Sequence, residues 1–168
     1  MEFLFRHIPL ILITIFSGNS FASSLAEDAQ NRGINQICSN YLEQIESSYG
    51  LSGLNITFAH PENPSLLPSL HISSQKYNNW SSSFSATLMP YDEYCYLSTV
   101  LVTAINNQSC SEIAQIKSEN AENLKVSVYA DGNYTILTPS DGSFQAILTS
   151  SGDNSCTMAE TRMMWPGK

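Results

Sequence analysis

The sequence predicts an α+β fold in which an N-terminal helix packs on an antiparallel sheet, stabilised by two disulfides. Helical periodicity runs through residues 25–49, and apolar and polar residues alternate in strands separated by short turns in the C-terminal third. Apolar residues at three- and four-residue steps indicate a helix, whereas strict alternation indicates a half-buried strand. Four cysteines, all of them after an apolar leader, supply the disulfides.

The first 22 residues have the pattern of an export signal. Arg6 precedes an apolar run over residues 8–16, and Ser20-Phe21-Ala22 places the small residues Ser20 and Ala22 where a signal peptidase recognises its site. The run is much shorter than the ~20 residues that a membrane-spanning helix needs. We therefore predict that residues 1–22 are a signal peptide and residues 23–168 a single globular domain without stable membrane insertion. The bacterial periplasm is the favoured destination, and secretion to the outside is the alternative.

One apolar stripe defines the predicted helix over residues 25–49. Gly33 can interrupt its early part, and Gly50 is a natural stop signal. The stripe consists of Ile34, Ile37, Tyr41, Ile45 and Tyr49, with Cys38 beside it.

Short strands and one further helix follow. Alternation predicts strands over residues 54–60, 71–75 and 84–88, with a polar loop over residues 77–83 and an end at Pro90. The apolar run 96–105 fits a strand or a helix. Ser109 and Glu112 form a capping-box pattern that begins a helix reaching to about residue 122, with Ile113 and Ile116 facing inward.

The C-terminal third predicts a four-strand meander over residues 124–130, 134–138, 144–149 and roughly 156–165. Asp131-Gly132-Asn133 and Pro139-Ser140-Asp141-Gly142 are turn sequences between these strands. The predicted apolar face consists of Leu124, Val126, Val128, Phe144, Ala146 and Leu148. We expect the stripe within residues 34–49 to cover this face, and we find no internal repeat, linker or second domain in the sequence.

Cys38, Cys95, Cys110 and Cys156 are predicted to form two disulfides. If residues 96–105 are a strand, they carry the chain roughly 33 Å from Cys95, and the five residues that return to Cys110 span at most about 17 Å. Because bonded cysteines need α-carbons within about 7 Å, Cys95–Cys110 is disfavoured. Cys38–Cys95 with Cys110–Cys156, and Cys38–Cys110 with Cys95–Cys156, both remain open. The wide spacing without a C-x-x-C pair argues against zinc.

The charge balance narrows the class of partner. The chain has 15 acidic and 7 basic residues and a net charge of −8. An acidic surface repels phosphate backbones and anionic headgroups, so it disfavours nucleic acid and favours a basic protein partner.

No catalytic or metal-binding pattern stands out. Beyond the leader, His60 and His71 are the histidines that could serve a serine nucleophile, and no serine lies in a G-x-S-x-G elbow. Neither histidine belongs to a zinc motif, and the adjacent Asp92 and Glu93 do not form the separated carboxylate pair of a glycosidase. We therefore predict no catalytic residues, no metal and no cofactor.

Loop aromatics are the candidate partner-binding residues. Tyrosine and tryptophan on loops are frequent anchors of protein recognition, and acidic neighbours suit a basic partner. The candidate residues are Tyr77, Trp80, Tyr91, Asp92, Glu93 and Tyr94. The sequence therefore favours an exported, non-enzymatic binding protein, of the inhibitor or immunity type, that acts on a basic protein. The alternatives are a structural subunit of an envelope or surface assembly, and a small exported hydrolase acting on sugar polymers or peptidoglycan.

Overall fold

Eight antiparallel strands form one sheet, and three helices pack on a single face of it. The computed structural model describes residues 23–164, so the predicted signal peptide lies outside the described residues. The helices are α1 (Leu25–Asn31), α2 (Gln36–Tyr49) and α3 (Cys110–Asn120). The strands are β1 (Leu54–Phe58), β2 (Ser69–Lys76), β3 (Trp80–Tyr91), β4 (Tyr94–Asn106), β5 (Leu124–Tyr129), β6 (Tyr134–Pro139), β7 (Gln145–Gly152) and β8 (Ser155–Met164). The mixed α+β prediction is confirmed, and the fold is mostly sheet.

The predicted N-terminal helix is divided in two. Gly33, with a φ of 76°, lies in the break between α1 and α2, and the Asn35 side chain caps α2 by accepting a hydrogen bond from the Ile37 N–H. Ile34 therefore precedes α2 instead of opening it, although its side chain is buried. Gly50 ends α2 in the left-handed conformation, as its position in the sequence predicts.

β3 departs from its prediction in its limits, and α3 departs from its prediction in the side that it buries. β3 begins at Trp80, inside the predicted loop 77–83, because Ser81, Ser82 and Ser83 pair with the long strand β4. Ser109 and Glu112 form the predicted capping box of α3, but Ile116 is 45 % exposed because α3 turns that side to solvent. The run 96–105 is a strand within β4.

The strand order is β1-β2-β3-β4-β8-β7-β6-β5. Two four-strand meanders therefore meet along β4 and β8, and each meander is preceded by a helix. α1 and α2 form the N-terminal core with β1 to β4, whereas α3 forms a second core with β5 to β8. The sequence predicts that the stripe of residues 34–49 covers the C-terminal meander. In the structure this stripe packs on β3 and β4, and α3 covers the C-terminal meander instead.

The two disulfides join equivalent elements, one in each half of the molecule. Cys38 in α2 bonds to Cys95, the second residue of β4, and Cys110 in α3 bonds to Cys156, the second residue of β8. One of the two predicted pairings is therefore confirmed, with α-carbon separations of 5.2 and 5.0 Å.

The two halves of the molecule repeat one arrangement. In both halves a Phe-x-Ala-x-Leu segment precedes the last strand, at Phe84-Ser85-Ala86-Thr87-Leu88 and at Phe144-Gln145-Ala146-Ile147-Leu148. Leu88 and Leu148 are both fully buried, opposite Leu97 of β4 and Met158 of β8. Since the strand order is also palindromic, the two helix-plus-four-strand units are related by an approximate two-fold axis at the β4–β8 seam. This repeat of topology is not among the features that the sequence predicts.

Candidate binding surface

Tyr77 and Trp80 lie together at one end of β3. Their rings stack with centroids 3.8 Å apart, and the Tyr77 hydroxyl donates to Gln75 Oε1 at 2.6 Å. Gln75 in turn donates to the backbone oxygen of Gly50 at 3.0 Å, at the end of α2. Both rings are more than a third exposed, but these contacts connect the β2–β3 turn to α2, which is a structural task.

Tyr91, Asp92, Glu93 and Tyr94 lie at the opposite end of β3, in the β3–β4 turn. Tyr91 pairs with Tyr94, so Asp92 and Glu93 form the two-residue tip of the hairpin. Because β3 has 12 residues, the two ends are about 36 Å apart. The structure therefore separates the six candidate residues into two groups and does not join them in one surface.

The exposed tyrosines of the tip continue onto the face of the sheet opposite the helices, which we call the open face. Strand parity places Met89, Tyr91, Tyr94 and Tyr96 on the open face, with the Tyr91 and Tyr96 ring centroids 5.7 Å apart. Tyr91 is 54 % and Tyr94 49 % exposed. Met89, Tyr96 and Met163 also line an apolar groove of about 290 Å³. We call this set the hairpin-tip patch: Met89, Tyr91, Asp92, Glu93, Tyr94, Tyr96 and Met163.

Sequence reasoning missed three members of the patch, Met89, Tyr96 and Met163. The two-residue alternation of Met89 with Tyr91, and of Tyr94 with Tyr96, was the available signal, because such residues share one face of a strand. Met163 joins them only through the pairing of β8 with β4, which the sequence does not reveal. Methionine side chains suit a binding surface because they are flexible and polarizable.

Charge is distributed unevenly between the two faces of the sheet. Within the eight strands, the open-face positions hold no Asp or Glu, and their charged residues are Lys76 and Lys125. Asp92 and Glu93, at the hairpin tip, border this face, whose strand positions carry no carboxylate. An apolar aromatic centre with a charged border is the usual composition of a protein-binding patch.

His71 is enclosed by hydroxyl groups. Its Nδ1 lies 3.1 Å from Thr57 Oγ1 and its Nε2 lies 2.8 Å from Ser69 Oγ, and the side chain is fully buried. Burial lowers the pKa of His71 to about 4, although Asp28 acts in the opposite direction. A neutral imidazole can donate to one hydroxyl and accept from the other, so His71 connects β1 and β2 from inside the core.

His60 and the carboxylates do not converge on a centre in the part of the chain that the structure describes. His60 is exposed, and its Nδ1 accepts hydrogen bonds from the backbone N–H groups of Glu62 and Asn63, each at 3.2 Å. Glu160 is buried and forms an ion pair with Arg162 at 2.8 Å. Residues 23–164 contain no group of three or more His, Cys, Asp or Glu side chains that could hold a metal ion.

Comparison with protein-family models, with curated proteins and with solved structures finds no match to this chain. None of the helices within residues 23–164 is long and apolar enough to cross a membrane. Two disulfides in the fold are typical of a protein that matures in an oxidising compartment.

Proposed function

We propose that this is an exported, non-enzymatic binding protein whose hairpin-tip patch binds a basic protein partner, as an inhibitor or immunity-type protein does. The observation that carries the proposal is the exposed Tyr91 and Tyr94 pair beside an apolar groove, with Asp92 and Glu93 at its border. Tyrosines of this kind provide large contact areas at low entropic cost, and border carboxylates accelerate the encounter with a cationic partner. The bacterial periplasm is the compartment that we propose.

Affinity capture from a periplasmic or extracellular extract at low salt tests the proposal, with the oxidised protein as bait. We expect a basic protein to be retained by the wild-type chain and to be released as salt is raised. Retention of no protein at low salt would contradict the proposal.

Variants of the patch then localise the interaction. Tyr94→Ala should weaken binding of the captured partner by about tenfold or more, as loss of an interface anchor does. Asp92→Asn with Glu93→Gln should slow association and flatten its salt dependence. Tyr134→Ala is the matched control, since Tyr134 is 48 % exposed on the open face of the other half. Equal losses for Tyr94→Ala and Tyr134→Ala would place the interaction elsewhere.

An assembly subunit is the second candidate, because the open sheet has two outer strands, β1 and β5. Strand edges can pair with neighbouring molecules. Light scattering of the pure protein tests this candidate: concentration-dependent growth would support it, and a stable monomer would count against it. No contact in the described residues favours the hydrolase alternative, and the four grooves that we find there have one lining carboxylate, Asp153.

A further inference from the structure

A groove of about 560 Å³ lies between α3 and the strands β5 and β6, on the helix-bearing face and away from the hairpin-tip patch. Small and hydroxyl side chains come from α3, valines come from β5, and Asp153 of the β7–β8 turn contributes one carboxylate. The residues that line the groove include Ser111, Ala114, Ser118, Val126, Val128 and Thr135.

The N-terminal half holds a helix at the equivalent place. Counting from Cys38 and Cys110 along the helices, Leu42 corresponds to Ala114 and Glu46 to Ser118. When the residue pairs are followed from strand to strand in each half, Thr57 has the position in β1 that Val126 has in β5. α1 packs against α2, β1 and β2, and so covers the N-terminal counterpart of the groove. Within residues 23–164, no second helix covers β5 and β6 in the C-terminal half.

Burial shows what the missing cover changes. Thr57 beneath α1 is 2 % exposed, whereas its counterpart Val126 is 40 % exposed and the neighbouring Val128 is 62 % exposed. A threonine is therefore buried in one half, while two apolar valines face solvent in the other. Burial of apolar side chains by a partner lowers the free energy of the complex. Covering Val126 and Val128 would therefore be more favourable than covering Thr57 in the N-terminal half.

Two differences between equivalent residues of the halves indicate which kind of helix the groove can bind. Ala114 stands where the fully buried Leu42 stands, which leaves room for a larger side chain than those of α1. Ser118 stands where Glu46 stands, whose carboxylate accepts hydrogen bonds from the backbone N–H groups of Leu25 and Ala26 in α1. The occupant's first turn thus receives no carboxylate from α3 and must provide its own N-cap, as Ser24 does for α1.

We infer that this groove binds a short amphipathic helix of a partner protein, seated on Val126 and Val128 as α1 is seated on β1 and β2. The helix presents small and bulky apolar residues to the groove and begins with its own Ser, Thr, Asp or Asn cap. The chain's own start does not supply it after cleavage of the predicted leader. Asn55 holds Ser23 at β1 through a 2.8 Å hydrogen bond, and β1 lies about 34 Å across the sheet from β5.

A peptide with the α1 sequence, residues 23–35 of this chain, is the probe, because the molecule already binds that helix in the counterpart site. Fluorescence anisotropy should detect saturable binding of the labelled peptide to the oxidised full-length chain. Ser118→Glu restores the carboxylate of Glu46 and should tighten binding by about threefold to tenfold. Val128→Asp places a charge in the groove and should weaken binding by about tenfold or more.

Val102→Asp is the matched control, because Val102 is 37 % exposed on the opposite face of the sheet, and it should leave peptide binding unchanged. No saturable binding, or no gain with Ser118→Glu, would overturn the inference. A photo-crosslinker at position 126 identifies the natural occupant in an extract of the source compartment. Crosslinks to a helical segment of another protein support the inference. Crosslinks to residues 1–22 or to a second copy of this chain would overturn it.

Discussion

His71 is buried between β1 and β2, and this burial disfavours its charged form, which makes the stability of the protein sensitive to mild acid. Its pKa of about 4 lies below the value of about 6.5 in an unfolded chain. The unfolded chain therefore binds a proton that the folded chain does not between these two pH values. The contribution of His71 is complete above pH 6.5 and is lost as the pH falls to 4, by an amount on the order of 3 kcal/mol.

The substitution His71→Leu tests this prediction, because the equivalent residue of the other half is the fully buried Leu137. At pH 7 we expect a loss of about 1–3 kcal/mol, since Thr57 and Ser69 lose their hydrogen-bond partner. Urea denaturation between pH 7 and 4 should show a flatter pH dependence than that of the wild type. His60→Leu changes the exposed histidine and is the control. Equal pH slopes for wild type and His71→Leu would contradict the prediction.

Glu46 holds α1 in place, because its carboxylate accepts hydrogen bonds from the N–H groups of Leu25 and Ala26. A negative charge at a helix N-terminus is stabilising, and burial of α1 against α2 strengthens the effect. We expect Glu46→Gln to lower stability by about 1 kcal/mol and to accelerate hydrogen exchange of the α1 amides first. Glu43→Gln, at an exposed position in the same helix, is the control. Unchanged α1 exchange would show that the apolar contacts of Leu25 and Ala29 suffice.

Local signals predicted the residues whose partners are near in sequence. Ser109 and Glu112 are three residues apart in the capping box, and Gly50 ends its own helix. The burial of His71 was not predictable in the same way, because Thr57 belongs to another strand and Asp28 to a helix. Its role depends on the register of β1 with β2, which the sequence does not specify.

Among the elements, α3 depends most on its disulfide. It buries Cys110, Ile113 and Ala114, whereas α2 buries four residues and is supported by α1. The two disulfides close loops of similar length, with separations of 57 and 46 residues. From the reduced entropy of the unfolded chain, each should stabilise the fold by about 4 kcal/mol. Removal of either disulfide should therefore lower the stability by a similar amount, but it should affect α3 more selectively than α2.

Replacing Cys110 and Cys156 together by alanine should cost about 4 kcal/mol and expose the α3 amides to exchange before those of the sheet. Replacing Cys38 and Cys95 is the matched control, with a similar loss of stability and less selective exchange of α2. Urea denaturation and hydrogen exchange followed by mass spectrometry measure both effects. Protection of α3 that equals the wild type after removal of Cys110–Cys156 would contradict the prediction.

The elements were predicted best where one face is buried and alternation is complete. The strand β7 and the helical stripe satisfy this condition, whereas Val126 and Val128 of β5 alternate but are exposed. The serines of β3 gave no apolar pattern and are strand only because β4 pairs with them. The repeat escaped detection because the offset between equivalent residues changes along the chain. It is 72 residues from Cys38 to Cys110, 60 from Leu88 to Leu148 and 61 from Cys95 to Cys156. Because the loops differ in length, the sequence does not show the repeat of topology that the strand order shows.

The whole molecule explains why the candidate aromatics separate. Tyr77, Trp80, Tyr91 and Tyr94 are close in sequence, but the straight course of β3 carries them to opposite ends of the sheet. Closeness in sequence indicates a common surface only when the chain turns between the residues. The patch instead gathers residues from β3, β4 and β8, and its assembly depends on the seam between the two halves.

The two-fold seam leads to a prediction about the N-terminal half alone. In the intact molecule Val100 of β4 pairs with Thr161 of β8, and these two positions are equivalent in the two halves, so the axis passes between them. A fragment of residues 23–107 keeps α1, α2, β1 to β4 and its disulfide, but it exposes β4 as an unpaired edge. Another copy of β4 can replace β8 there in the same register.

We therefore expect the fragment to form a two-fold symmetric dimer through β4, with Val100 opposite Val100 of the second copy. Light scattering should give twice the fragment mass, and Val100→Cys should form an intermolecular disulfide readily because the two copies of position 100 face each other. Val102→Cys is the control, since its symmetric partner would be residue 98 and not itself. Val102→Pro should remove a ladder hydrogen bond or obstruct pairing, and so favour the monomer. A folded monomer, or equal crosslinking at positions 100 and 102, would show that the halves do not pair in the register that the two-fold symmetry requires.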